Sequence, residues 1–232
     1  MNAWASGLRT SLAIILGYTP IAIAFGVAAN EIGLSVQTTL LVSGVVFAGA
    51  SQFVMVSLWA TGTPPLIIVL TTLLLNLRHV LYGPLIAPHL RHSPGWQHLL
   101  ATFGLTDEVF AAATGRVDEV PESDRMAWLL GLEAGAYGAW LSGTWLGATG
   151  GAALTTLLPA IAPALAFALP TLFLVLLLPV LQGRVLIAAL VAAGVAGIAQ
   201  FLGMATVGLL AAAVVGPLVA LVGSRWRCQQ TN

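Results

Sequence analysis

The sequence is short of charge. Of 232 residues, 8 are arginine and 8 are acidic, lysine does not occur, and the formal net charge is zero. Soluble domains carry about a quarter charged residues, so this composition does not supply the solvated surface of an ordinary globular protein. Without a basic excess, the electrostatic footprint of a nucleic-acid-binding protein is also missing. Cysteine is nearly absent. Cys228 stands alone in a polar C-terminal stretch, which excludes an internal disulfide and a multi-cysteine metal site. Neither a G-x-S-x-G elbow nor an H-E-x-x-H helix accompanies Ser51 and His79. No enzyme, metal site or cofactor is therefore expected.

What the chain does contain is apolar sequence: hydrophobic residues make up 59% and the mean hydropathy is +0.98. The apolar residues fall in runs of about 20, the length that crosses a hydrocarbon core of roughly 30 Å at 1.5 Å per residue. We expect an all-α, polytopic bundle of seven or eight membrane segments, some discontinuous, in a single domain over 1–232. The polar stretch Arg116 to Arg125 divides it into halves, 1–115 and 126–232. Spans are expected near Thr10–Ala29, Thr38–Thr61, from Pro64 and Pro65 onward, Met126–Leu146, Ala164–Leu181, Val185–Phe201 and Gly203–Val222. A shorter segment, His98–Gly115, is broken at Gly104, and Gly150–Pro163 reads as an external loop or surface helix. Gly17 and Pro20 are expected to open the first span midway. That span has Arg9 before it and small residues near Ala22, as a signal peptide would, but we read it as a retained span. With eight segments, Arg9, Arg116, Arg125, Arg184, Arg225 and Arg227 all fall on the cytoplasmic side and Arg91 alone falls outside.

Polar interruptions of these runs are the candidates for chemistry, because an ionisable group in a bilayer is costly unless paired or facing water. Asn76 and His79 share one helical face, and Arg78 and Tyr82 a neighbouring one. The arginine fork suits a carboxylate and the imidazole can carry a proton. Snorkelling of Arg78 to a headgroup and helix–helix hydrogen bonding by His79 are the structural alternatives. Asp107 and Glu108 follow Thr106 and Gly104, as at the start of a half-helix whose N-terminus favours negative charge. There they either cap an interfacial helix or stand at membrane depth, where they balance Arg78 and take an ammonium or a proton. Glu133, about seven residues into its span, is a second proton-relay candidate. Gly44, Ala48, Gly49, Ala50 and Ser51 form a small-residue face, and Gln52 adds an amide that needs partners.

These residues carry a resemblance. Gly17-Tyr-Thr-Pro20 with Phe25-Gly26, Phe47-Ala-Gly-Ala-Ser-Gln52-Phe53, Asn76-Leu-Arg78-His79 and Leu105-Thr-Asp107-Glu108, in that order, resemble the signature of AzlC proteins. Trp140, Gly143, Thr144 and Gly147 are compatible with it. The resemblance implies the large subunit of a proton-coupled exporter of branched-chain amino acids in the bacterial cytoplasmic (inner) membrane, paired with a small AzlD-type membrane subunit. A leucine-like substrate needs an apolar pocket, for which Phe25, Phe47 and Phe53 are candidates. Its polar ends need partners, for which Ser51, Gln52, Asn76, Arg78, Tyr82, Asp107 and backbone near Pro20 are candidates, at a site near the midplane. One methylene discriminates by only about 1–3 kcal/mol, so broad apolar specificity is expected. A passive channel or uptake permease, or a non-transporting membrane assembly protein, are the alternatives.

Overall fold

A chain with no water around its backbone satisfies its N–H and C=O groups by coiling into helices. In the computed structural model, which describes residues 2–91, 93–157, 174, 178 and 181–228, the regular elements are all helical. Two compact units are present, Met1–Pro170 and Thr171–Asn232.

The first unit is built around one long helix. α1 (Ala3–Thr10) and α2 (Leu12–Glu31) are followed by α3 (Val36–Val46) and α4 (Gly49–Ala60), then α5 (Pro65–Asn76) and α6 (His79–Ile86). α7 (Gly95–Phe103), α8 (Asp107–Arg116) and the 33-residue α9 (Arg125–Leu157) complete it. α9 is about 50 Å long. It runs against α1 and then α2 through glycines at spacing four. A Cβ on Gly131 would lie 2.1 Å from the Trp4 carbonyl oxygen, and one on Gly147 would lie 2.1 Å from that of Ile23. Gly26 of α2 returns the contact, 2.3 Å from the Thr144 carbonyl by the same test. Backbones this close are how helices associate where lipid removes the hydrophobic drive between them. Ser43 and Thr144 add a buried hydroxyl pair at 2.7 Å between α3 and α9.

Among the described residues two stretches, Leu12–Glu31 and Pro65–Leu90, are by themselves long and apolar enough to cross a membrane. The second unit contains α10 (Gly183–Phe201) and α11 (Ala205–Cys228), which pack on one another and coincide with the spans expected there.

The structure corrects several expectations. α2 is unbroken through Gly17 and Pro20. The Thr19 hydroxyl donates to the Ile15 carbonyl at 2.7 Å in the turn before Pro20, the usual back-bond of a threonine inside a helix. The span expected at Thr38–Thr61 is instead two helices. Phe47 between them takes a left-handed φ of 39° and Ala48 is extended. Helix continues from Gly150 to Leu157 where a loop or surface helix was expected. Residues 158–163, and nearly all of Ala164–Leu181, lie outside the described residues.

Candidate functional site

Among the described residues of the first unit, helix is interrupted between α3 and α4, between α5 and α6 and between α7 and α8. Pro65 fixes the start of α5 at its first position, where a missing N–H is harmless. At its far end the ladder tightens: Leu77 bonds back to Leu74, Val80 to Leu77 and Leu81 to Arg78, each over three residues. Such a 3₁₀ constriction changes the angular spacing of side chains, and Pro84 beyond it gives the Val80 carbonyl no helical partner. The second interruption, Gly104 to Thr106, separates α7 from α8. The Thr106 hydroxyl caps α8 by accepting from Val109 N–H at 3.3 Å. Asp107 and Glu108 occupy the first turn, where the helix dipole favours them.

These two interruptions face each other. Arg78 Nη1 is 2.9 Å from Asp107 Oδ2, and His79 Nε2 is 3.9 Å from Asp107 Oδ1. The Tyr82 hydroxyl donates to the same Oδ1, and its ring stacks on Phe110 at 4.5 Å. Glu108 turns the other way and accepts from the buried hydroxyl of Tyr18 in α2. Tyr18 Oη also lies 2.6 Å from Thr106 Oγ1.

From Tyr18 the chain of contacts reaches the third interruption. The Tyr18 ring meets Trp140 of α9 edge-on at 5.2 Å. Trp140 Nε1 donates to Gln52 Oε1 at 3.0 Å, and Gln52 Nε2 donates to the Val42 carbonyl at 3.2 Å. Gln52, fully buried in α4, thus ties that helix back to α3 across the kink at Phe47 and Ala48. Tyr137 supports the same kink, its hydroxyl donating to the Gly44 carbonyl at 3.0 Å near the end of α3. Terminal carbonyls of this kind have no partner within their own helix.

Of the expected site residues, Gln52, Arg78, His79, Tyr82, Asp107 and Glu108 are joined in this network. Others are not. Pro20 lies in continuous helix and offers no unwound backbone. Phe25 is fully buried with Ala29 and Val56, and Phe53 closes on it edge-on at 5.8 Å. Phe53 is partly buried there. The Ser51 hydroxyl donates to the Ala48 carbonyl within its own first turn, at 2.9 Å. Phe47 packs edge-on against Tyr137 at 4.9 Å. Asn76 Oδ1 is buried without a hydrogen-bond partner among the described residues. Glu133 lies apart, against Gly104.

The sequence reading passed over Tyr18, Thr106, Tyr137 and Trp140 as site residues. Tyr18 had a signal, a hydroxyl between Gly17 and Pro20 in an apolar run, and Trp140 stood beside Gly143. Two clusters result, Arg78, His79 and Tyr82 around Asp107 and Tyr18 with Thr106 at Glu108, side by side because Asp107 and Glu108 are neighbours in the first turn of α8; each brings proton-exchanging groups together, with Arg78 balancing the charge of Asp107.

The chain matches the family model described as "AzlC protein" over residues 13–154, and a second, described as "MJ1155 family", over residues 160–226. It is 41% identical to an uncharacterized membrane protein of Archaeoglobus fulgidus, the match covering 92% of each chain. It is 36% identical to the inner membrane protein YgaZ of Escherichia coli, over 95% of this chain and 91% of that one. The branched-chain amino acid transport protein AzlC of Bacillus subtilis is 28% identical over 47% of this chain and 42% of its own length. No solved structure matches.

Proposed function

The chain belongs to the AzlC protein family, and from that premise we propose that it is the large subunit of a proton-coupled secondary exporter of branched-chain and related apolar amino acids. Its relatives are membrane proteins, and a membrane transport-related role follows from the family. The finer reading places it as a multi-pass protein in the bacterial cytoplasmic membrane, with a small AzlD-type subunit as partner.

One observation carries this reading: two helix interruptions in an apolar chain bring Arg78, His79 and Tyr82 against Asp107 with Glu108 beside it, and a third lies at the end of a contact chain through Tyr18, Trp140 and Gln52. Secondary transporters hold substrate and coupling ion at discontinuous helices, where backbone and half-helix ends face a cavity. Here the kink at Phe47, the constriction at Arg78 and the half-helix opening at Asp107 are linked through Gln52, Trp140, Tyr18 and Thr106. In the proposed mechanism the Tyr18–Glu108 and His79–Asp107 contacts carry the proton, while Arg78 exchanges between Asp107 and the substrate carboxylate. A fork that binds one carboxylate can rebind another at little net change in energy.

Cells loaded with a leucine- or isoleucine-containing dipeptide test this. With this gene and that of the small partner present, extracellular leucine or isoleucine rises faster than with both deleted, and an uncoupler abolishes the difference. Equal efflux in the two strains contradicts export, and efflux that persists under the uncoupler identifies a passive channel.

A further inference from the structure

We infer that the cleft beside Glu133 is a binding site for a primary ammonium carried on a small branched apolar body. Glu133 projects from α9 toward the interruption between α7 and α8. It is 5% exposed, and its Oε1 has no hydrogen-bond partner among the described residues. The two other carboxylates at that interruption are engaged: Asp107 by Arg78 and Tyr82, Glu108 by Tyr18. A buried carboxylate oxygen without a partner is expensive, and it marks a position where a donor from outside the chain would fit.

The space beside the Glu133 residue has a matching shape and chemistry. A cleft of about 260 Å³ is lined by Glu133 together with Leu100, Phe103, Leu130, Ala134 and Tyr137. Apart from the carboxylate and the Tyr137 hydroxyl, which is bonded to Gly44, that wall is apolar. Phe103 and Tyr137 meet at 6.0 Å, and aromatic rings beside a carboxylate favour an ammonium further. Gly104 keeps the carboxylate in place, since a Cβ there would lie 2.5 Å from Glu133 Oε2. Gly104, against which Glu133 lies, and Asp107 are three positions apart, so their Cα atoms are within about 11 Å of one another. This deepens the exporter reading by assigning the amino end of the substrate to Glu133, in place of Asp107, and it rests on that reading for the identity of the ligand.

The test uses the full chain in lipid nanodiscs and three probes by calorimetric titration: isopentylamine, L-leucine and 4-methylpentanoate. Glu133→Gln is expected to weaken isopentylamine and leucine by at least about tenfold, the scale of one charge-assisted hydrogen bond, and to leave 4-methylpentanoate unchanged. Ala134→Phe, at an exposed position on the cleft wall, is expected to weaken the amine by a similar factor without loss of thermal stability. Unchanged amine affinity in both variants overturns the site while leaving the exporter reading intact. An amine that binds through Glu133 in a protein that exports no leucine upholds the site and overturns that reading. A wild-type protein that binds none of the three probes overturns the site.

Discussion

Arg78 and Asp107 form an ion pair at 2.9 Å between two interrupted helices. Away from water each charge is costly without its counter-ion, so Arg78→Gln and Asp107→Asn should each lower thermal stability, and a double-mutant cycle should show a favourable coupling between them. Export should fall at least about tenfold in each single variant, because the proposed role is exchange. Tyr18 is a different case. Tyr18→Phe keeps the ring against Trp140 but removes the hydroxyl from Glu108 and Thr106. A cost of about 1–3 kcal/mol is expected from the unsatisfied buried acceptors, read as a lower unfolding temperature in detergent. Arg78, His79, Asp107 and Glu108 were legible in the sequence because ionisable groups stand out in apolar runs. Tyr18 was not, since its ring counts as apolar and its hydrogen-bond partner Thr106 lies 88 positions away. The contact between Phe25 and the partly buried Phe53 was not legible either, because spacing to the motifs says nothing of side-chain direction.

At the scale of elements, the packing of α9 against α1 and α2 depends on glycine. Gly147→Ala places a methyl 2.1 Å from the Ile23 carbonyl oxygen, a backbone atom that cannot yield without moving α2. A loss of about 1–3 kcal/mol follows, visible as a reduced folded yield after detergent extraction. Gly138→Ala and Gly150→Ala meet nothing within 4 Å, so each should be neutral or stabilising by up to about 1 kcal/mol from the helical preference of alanine. The interruption at Gly104 was legible from a glycine followed by Thr106 and two acids. The kink at Phe47 and Ala48 was not, because an aromatic residue at positive φ is a choice of tertiary packing and not of local propensity. Here Tyr137 holds the ring and Gln52 and Tyr137 take up carbonyls of α3. Pro20 gave the reverse error: the helical path of α2, buried against α9, overrode the local break.

For the molecule as a whole, the outer face of α5 and α6 is the most telling surface. Leu66, Val69, Leu70, Leu73, Leu77 and Leu81 are all more than half exposed, an apolar expanse that water does not tolerate and lipid or another membrane subunit does. The protein should therefore remain in the membrane pellet through alkaline carbonate extraction, and recovery in the supernatant would contradict that. The all-helical class was legible from the runs of apolar residues, since a bilayer leaves the backbone few alternatives. In the proposed mechanism the Arg78–Asp107 and Tyr18–Glu108 pairs couple amino-acid movement to protons. The direct measurement is leucine flux in proteoliposomes holding the full chain and its small partner, under an imposed pH gradient. Uphill leucine movement by the wild type, abolished in Asp107→Asn with folded protein intact, is the predicted result. Uphill movement in Asp107→Asn equal to the wild type would contradict it.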